Sequence, residues 1–312
     1  MVNTVIQIIK IARPIHWIKN FAVFAALIFT GTLFIPVYFN SALVAFLAFC
    51  FISSASYIIN DIQDAKLDRL HPVKKNRPVA SGKLSVPSAY LEAAVLIGLS
   101  YHLATKLNPL FMVSLLAYLV LQILYSTFLK NVSVLDILII ATGFVIRVYA
   151  GAFAINAHLS VWFLLCVVSV ALFLAAGKRR SELSSIEETK ELTRKSLTQY
   201  RKELLNSYVT MFGNAAWMSW SLFTFFESPR TSPPLWLFLA EISKTTTISK
   251  LLMITIPVVI FIIMRYEKII FENESEAPEK AVLSDSWLMS AVALWTFLVI
   301  SILYGGTATS IR

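Results

Sequence analysis

Apolar positions are grouped along the chain in long blocks, with polar residues concentrated between them. Nine blocks have roughly the 20 mostly apolar residues that a helix needs to cross a bilayer. They cover 21–38, 41–59, 87–105, 109–128, 133–155, 159–177, 205–226, 249–264 and 287–304. We therefore predict an all-α, polytopic integral membrane protein with nine transmembrane helices.

Composition and charge support this interpretation. Apolar residues make up 57% of the chain and charged residues 14%, and the mean hydropathy is +0.72. No soluble domain could bury that much apolar surface. The net charge of +9 would suggest a nucleic-acid partner in a soluble protein. Most lysines and arginines, however, lie in alternate segments between the blocks, so we attribute the surplus to membrane orientation and predict no nucleic-acid partner.

The positive-inside rule places the N-terminus and the segments 61–86, 178–204 and 265–286 in the cytoplasm. We predict that these three segments are loops that cap a single catalytic domain over 1–312. We expect the protein in the inner membrane of a bacterium, with its site on the cytoplasmic side.

A row of acidic residues follows the second apolar block. Asp61, Asp64 and Asp68 come directly after Asn60, and their spacing puts them on one face of a helix. Like charges in a row repel unless a cation bridges them, and oxygen ligands without His or Cys suit Mg²⁺, which prefers carboxylates together with substrate phosphates. The alternative is a solvated helix end. Because the row begins at the membrane surface, we favour a site for Mg²⁺-bound diphosphate.

Basic residues follow the acidic row at a short distance. Lys74 and Arg77 lie within ten residues of Asp68, and Pro78 holds the backbone of Arg77 extended. Such cations suit the remaining negative charge of a phosphorylated substrate.

The motif Asn60-Asp61-x-x-Asp64-x-x-x-Asp68-Arg69, continued by His71-Pro72-x-Lys74-x-x-Arg77-Pro78-x-Ala80-x-Gly82, resembles the first signature of the UbiA superfamily of membrane prenyltransferases. The resemblance implies a ring of nine transmembrane helices around a cavity open to lipid. It also implies that the three aspartates are catalytic and bind Mg²⁺ on a diphosphate.

The segment after the sixth block departs from the prenyl-transferring members. Where they have a second acidic motif, this chain reads Gly177-Lys178-Arg179-Arg180-Ser181-Glu182-Leu183. Three adjacent cations would repel a second metal ion and attract an additional phosphate. The segment resembles the decaprenyl-phosphate phosphoribosyltransferase branch, which implies phosphoribosyl diphosphate as donor and a polyprenyl phosphate as acceptor, with Lys178, Arg179, Arg180 and Glu182 binding substrate.

Further residues complete the predicted substrate site. Tyr125 and Lys130 belong to a Tyr/Lys motif that resembles the one between helices four and five of the family, and we expect them to position phosphates. Lys19 lies in the motif Arg13-Pro14-x-His16-Trp17-x-Lys19-Asn20. Arg147 lies within the fifth block and should face a polar cavity, because a lipid-exposed arginine is costly. We predict that Lys19 and Arg147 contact the lipid phosphate.

Two other functions compete with phosphoribosyl transfer. Prenyl transfer from a prenyl diphosphate to an aromatic acceptor would use the same scaffold, but it would favour a second acidic motif. A transporter would place charges near the midplane of broken helices, whereas most charges here gather at one rim. The predicted partners are therefore phosphoribosyl diphosphate, a polyprenyl phosphate and membrane lipids. The oligomeric state stays open.

Overall fold

Helices account for all the regular structure in the described residues, which are 2–70, 74–189, 197–227, 248–272 and 284–305 of the computed structural model. The α-helices are α1 Val2–Ala12, α2 Ala25–Phe29, α3 Pro36–Asp68, α4 Val86–Ala104, α5 Pro109–Thr127, α6 Leu135–Ala154, α7 Val161–Thr189, α8 Lys202–Phe226, α9 Ile256–Glu272 and α10 Ser286–Tyr304. Short 3-10 helices lie at Pro14–Phe24, Lys74–Asn76, Leu129–Asn131, Leu197–Gln199 and Ile248–Thr255.

Each predicted apolar block coincides with helical structure, and the all-α membrane class is confirmed. Within the described ranges, five helices are long and apolar enough to cross a membrane, namely α3, α5, α6, the apolar part of α7 and α10. The predicted number of nine crossings is not confirmed.

The first block, 21–38, is not one helix. It is divided between the 3-10 helix Pro14–Phe24, the short α2 and the start of α3. Gly31 lies between them with a φ of +75°, a conformation that glycine adopts readily. Pro36 then begins α3 at a position where its missing N–H is not needed.

Several helices continue into the segments predicted as loops. α3 runs to Asp68, α7 to Thr189 and α9 to Glu272. The residues at these ends include Lys, Arg, Glu and Leu, which have good helix propensity, so the helices do not stop where the hydropathy falls. Residues 71–73, 190–196 and 273–283 of the predicted loops, with His71 and Pro72 of the motif, lie outside the described residues.

The contact pattern divides the described chain into two compact units. The first contains the residues up to Leu27 and Thr32–His158, and the second contains Ile28–Gly31 and the described residues from Leu159 onward. In the first unit, α3 packs along α4, α5, α6 and the 3-10 helix Pro14–Phe24, around a core that includes Phe49, Phe111 and Tyr118. The single catalytic domain over 1–312 stays a prediction.

The second unit is built on the pairing of α7 with α8, and α9 packs against α7, α8 and α10. Phe29 lies among Phe163, Trp220 and Phe223, with ring centroids 4.9 to 5.7 Å away. This aromatic cluster fills the space between helices that small side chains would leave open.

Candidate active site

The acidic row lies in the last turns of α3 and is largely shielded from solvent. The side chains of Asp61 and Asp68 are 2% and 7% exposed, and that of Asp64 is 20% exposed. Seven residues are close to two helical turns, so Asp61 and Asp68 share a face of α3, as the spacing predicts. Shielded carboxylates need donors or cations nearby, and this row has three basic partners.

Arg77 joins the two ends of the row. Its Nη1 atom donates to Asp61 Oδ1 at 3.0 Å and to Asp68 Oδ2 at 2.6 Å. A single guanidinium nitrogen therefore occupies the position of a bridging cation between the two carboxylates. The structure brings Arg77 together with the acidic row, and its role in substrate binding stays a prediction.

The loop after α3 fixes Arg77 in this position. Val79 and Leu84 are buried among apolar side chains of α3 and α4, which ties the loop to both helices. Arg69 Nε donates to the carbonyl of Ala80 at 3.1 Å. The loop then turns at Gly82, whose φ is +74°. These contacts hold the backbone on either side of Pro78, so the preceding arginine is directed back at the row.

Arg13, which the sequence did not predict as a substrate-binding residue, also contacts the acidic row. Its Nη2 atom donates to Asp61 Oδ1, and its guanidinium lies 5.3 Å from the ring centroid of Tyr57. The backbone of Arg13 is left-handed, with φ 52° and ψ 58°, at the junction of α1 and the 3-10 helix Pro14–Phe24. The motif that begins at Arg13 was the one feature of the sequence that pointed to this residue. Its left-handed backbone, which is uncommon for arginine, cannot be predicted from the hydropathy pattern.

Asp64 faces the connection between α5 and α6. Lys130, in the 3-10 helix Leu129–Asn131, donates from Nζ to Asp64 Oδ1 at 2.7 Å. Asn60 Nδ2 donates to Asp64 Oδ2 at 3.1 Å. The structure thus brings Lys130, from the Tyr/Lys motif, together with Asn60 and Asp64, which belong to one motif on α3.

The residues suit Mg²⁺ in the kind of ligand they offer. One or two carboxylates with substrate phosphate oxygens are its usual ligands, and Asp61 and Asp68 already share one cationic nitrogen. Across the described ranges, no three Asp, Glu, His or Cys side chains form a group that would hold a metal ion. The three-aspartate ligand set stays a prediction, and the geometry favours Asp61 and Asp68 within it.

Arg147 lies inside the first unit and is 4% exposed. Its Nε donates to Asn20 Oδ1 at 2.8 Å, its Nη1 to the carbonyl of Gly143 at 2.7 Å and its Nη2 to the hydroxyl of Tyr118 at 2.7 Å. The guanidinium also lies 4.6 Å from the ring centroid of Tyr118. The polar surroundings expected of Arg147 are therefore supplied by protein groups, which use three of its five N–H donors, and the contact with a lipid phosphate stays a prediction.

Three more predicted residues belong to the first unit. Lys19 is half-buried in the 3-10 helix Pro14–Phe24, and Tyr125 is half-buried in the last turn of α5. Lys74 is exposed in the 3-10 helix Lys74–Asn76. Their roles in substrate binding stay predictions.

The basic run of the second unit lies on α7. The side chain of Lys178 is 37% exposed, whereas that of Arg179 is 0% exposed. Glu182 accepts from Arg179 and lies 4.0 Å from Lys178 Nζ. Helical spacing explains these contacts, since residues three and four positions apart are neighbours.

Arg180 is held between three helices. It is 2% exposed, donates from Nε to Asn206 Oδ1 on α8, and lies 5.7 Å from the ring centroid of Phe271 on α9. Gly177 precedes the run, and a Cβ there would lie 2.6 Å from the hydroxyl of Tyr266. The run was predicted to lie in a cytoplasmic loop, and the structure instead places it on α7 and buries Arg179 and Arg180.

Arg265 and Asp285 form an ion pair in the second unit. Arg265 Nη2 donates to Asp285 Oδ2 at 2.7 Å, and Asp285 Oδ1 caps α10 by accepting from the N–H of Leu288 at 2.7 Å. The bond from Arg265 and then the bond from Leu288 lower the pKa of Asp285 below its usual value.

Comparison with known proteins decides the family. The UbiA prenyltransferase family matches residues 20–281, which is most of the chain. The chain belongs to this family. It is 33% identical over 304 residues to a Corynebacterium glutamicum protein named decaprenyl-phosphate phosphoribosyltransferase, covering 95% of this chain and 86% of that protein. A Mycolicibacterium smegmatis protein of the same name is 38% identical over 227 residues, covering 72% of this chain and 71% of that protein.

The fold agrees with this membership. A UbiA homolog from Archaeoglobus fulgidus, solved bound to GPP and Mg²⁺, has a TM-score of 0.70 and a sequence identity of 19%, covering 97% of this chain and 100% of the other. At that identity the similarity shows the fold, and the predicted resemblance to the UbiA superfamily is confirmed by both comparisons.

Proposed function

We propose that this protein transfers 5-phosphoribose from phosphoribosyl diphosphate to a polyprenyl phosphate, such as decaprenyl phosphate, and releases diphosphate. The observation that carries the proposal is the similarity to two proteins named decaprenyl-phosphate phosphoribosyltransferase, one of them over 95% of this chain. Membership of a transferase family favours an enzyme over a transporter.

The acidic row and its basic partners suit the diphosphate of the donor. Asp61 and Asp68, with Asp64 beside them, are our candidates to hold Mg²⁺, which when bound supplies Lewis-acid stabilisation to the negative charge on a leaving diphosphate. Arg77 pairs with Asp61 and Lys130 pairs with Asp64. When the donor binds, both cations would also donate hydrogen bonds to its phosphates. Arg13 joins them, and Asn60 keeps Asp64 oriented.

The acceptor needs little activation by the protein. A lipid phosphate is already anionic near neutral pH, so its oxygen attacks C1 of the ribose without a general base, while the bond from C1 to the diphosphate oxygen breaks with oxocarbenium character. We assign Lys19 to the lipid phosphate, with Tyr125 and Lys74 as further phosphate ligands.

The basic run on α7 suits the 5-phosphate of the donor. Lys178 is the most exposed of the three cations and would contact the phosphate, while Arg179 and Arg180 add positive charge behind it. Glu182 would orient this group through its contacts with Lys178 and Arg179. We place the reaction at the cytoplasmic face of a bacterial inner membrane, because the basic segments of the sequence favour that orientation.

A two-substrate assay tests the proposal. The purified protein would receive labelled phosphoribosyl diphosphate with polyprenyl phosphate and Mg²⁺, and in parallel a labelled prenyl diphosphate with an aromatic acid. We expect the first mixture to give a labelled lipid. Label in a lipid product only from the second mixture would refute phosphoribosyl transfer and support prenyl transfer.

Matched variants connect the activity to the site. We expect Asp61→Asn to lose at least about 100-fold in rate, on the scale at which removal of charge-stabilising groups acts. Glu203→Gln, an exposed carboxylate at the start of α8, should keep the wild-type rate. Equal rates in the two variants would remove the acidic row from the mechanism.

A further inference from the structure

The side chain of Asn20 links two helices of the first unit. It is 0% exposed, and it accepts from Arg147 Nε on α6 at 2.8 Å. Its own amide donates to Ser53 Oγ on α3 at 3.2 Å and to Cys50 Sγ at 3.4 Å. The 3-10 helix Pro14–Phe24 is therefore fastened near its C-terminal end to both α3 and α6.

Two further contacts hold the same 3-10 helix. Trp17 Nε1 donates to Ser54 Oγ on α3 at 3.0 Å. Gly151 on α6 lies so near that a Cβ built on it would be 1.9 Å from the carbonyl oxygen of Val23. Small residues permit this kind of close backbone approach between membrane helices. The 3-10 helix is thus held along its length, and not only at Asn20.

Arg13 stands at the N-terminal end of this 3-10 helix, directed at Asp61. Seven residues at a 3-10 rise of about 2.0 Å each separate it from Asn20 by roughly 14 Å. The 3-10 helix connects Arg147 with the acidic row, because it carries both Asn20, which contacts Arg147, and Arg13, which contacts Asp61.

A charged residue at position 147 needs a reason, because an arginine within a membrane helix is costly. The planar guanidinium binds three groups in fixed directions: Asn20 on the 3-10 helix, Tyr118 on α5 and the carbonyl of Gly143 on α6. A neutral side chain offers fewer donors and could not tie three elements together. These bonds use three of the five N–H donors of the guanidinium, so its burial is compatible with an organising role.

We propose that Arg147 is a positioning residue that, by holding Asn20, fixes the 3-10 helix Pro14–Phe24 and keeps Arg13 on Asp61 in the geometry that binds the diphosphate of the donor. This inference rests on the proposed function, since it assigns the diphosphate to the acidic row. It gives Arg147 a role that is independent of the predicted contact with a lipid phosphate.

Double-variant analysis tests the proposal. Arg147→Lys, Arg13→Ala and their combination would be compared in two measurements. One is the KM for phosphoribosyl diphosphate. The other is the apparent Kd for inorganic diphosphate with Mg²⁺, taken from the rise in melting temperature of the purified protein. The second measurement requires no turnover.

We expect each single variant to raise KM and Kd about tenfold, within the range for coupled side chains of one network. The double variant should be no worse than Arg13→Ala alone, because both changes remove the same contact. Thr142→Ala, exposed on α6, should leave both values unchanged. If Arg147→Lys lowers the yield of folded protein, Asn20→Ala breaks the same link from the other side.

Several results would overturn the inference. A lower melting temperature with unchanged KM and Kd would make Arg147 purely structural. Multiplying effects in the double variant would show that Arg147 does not act through Arg13, and tighter diphosphate binding in Arg13→Ala would show that Arg13 competes with the ligand. If the wild-type protein binds diphosphate and the Kd values of the variants change as expected, but no phosphoribose is transferred, the proposed function fails and the positioning role stands.

Discussion

Replacing Gly151 by alanine should separate α6 from the 3-10 helix Pro14–Phe24. The added Cβ would lie 1.9 Å from the carbonyl oxygen of Val23 and 2.8 Å from its carbonyl carbon. The first distance has to grow to at least 3.0 Å, the limit below which real Cβ contacts are essentially absent. Both partners are backbone atoms, so the helix itself must move and no side chain can rotate away.

The size of the effect follows from that movement. Overpacking of a tight interior costs about 1–3 kcal/mol. A shift of α6 by an ångström or so would also lengthen the bond of 2.8 Å between Arg147 Nε and Asn20 Oδ1, and a hydrogen bond to a charged group contributes about 1.5–3 kcal/mol. We expect a total loss of about 3 kcal/mol in the free energy of unfolding, which corresponds to a fall in Tm of roughly 5–10 °C.

Gly143 supplies a control on the same helix. A Cβ there would meet its nearest neighbours at 3.5 Å, which is ordinary van der Waals contact. We would follow the thermal unfolding of purified Gly151→Ala and Gly143→Ala by tryptophan fluorescence in one detergent. We expect Gly143→Ala to melt within about 2 °C of the wild type, as tolerated substitutions do. If Gly151→Ala melts at the same temperature as Gly143→Ala, the close approach of the two backbones is not needed for stability.

Three other changes test the site and its surroundings. Arg77→Ala should reduce transfer by at least about 100-fold, because two shielded carboxylates lose their shared cation; a rate within threefold of wild type would contradict this. Lys130→Met combined with Asp64→Asn should lose less activity than the product of the single losses, measured as a double-mutant cycle, and independent effects would argue against the pair. The lowered pKa of Asp285 stabilises the protein above its unfolded-state pKa, so wild-type Tm should fall as the pH drops from about 5, and Asp285→Asn should show a flatter profile. Parallel profiles would show that the bond from Arg265 does not depend on this ionisation.

The sequence was sufficient for the helices and for the acidic row, because both depend on local periodicity. Apolar blocks are long enough to identify helices, and positions i, i+3 and i+7 fix a shared face whatever the tertiary structure. The sequence placed Asp64 and Lys130 in two separate motifs and did not predict their pairing, since they lie 66 positions apart.

Tertiary contacts explain what the sequence did not predict. Arg13 reaches Asp61 through a left-handed backbone, which hydropathy does not encode. Arg147 was expected to face a polar cavity, but neutral groups from Asn20 and Tyr118 satisfy it, and their approach depends on the packing of three elements. The basic run from Lys178 was read as a loop because its charges end the apolar block, although its residues continue the helix.

The length of α3 makes the acidic row sensitive to the bilayer itself. At about 1.5 Å per residue its 33 residues measure roughly 50 Å, whereas a hydrocarbon core is about 30 Å thick. The carboxylates therefore lie at the end of a helix that is longer than the hydrocarbon core, and the thickness of the membrane sets their distance from the acyl chains. In a thicker membrane the acidic row would lie closer to the headgroups, and in a thinner one it would lie further out in the water. Lipid chain length would therefore change how easily the water-soluble donor reaches the row.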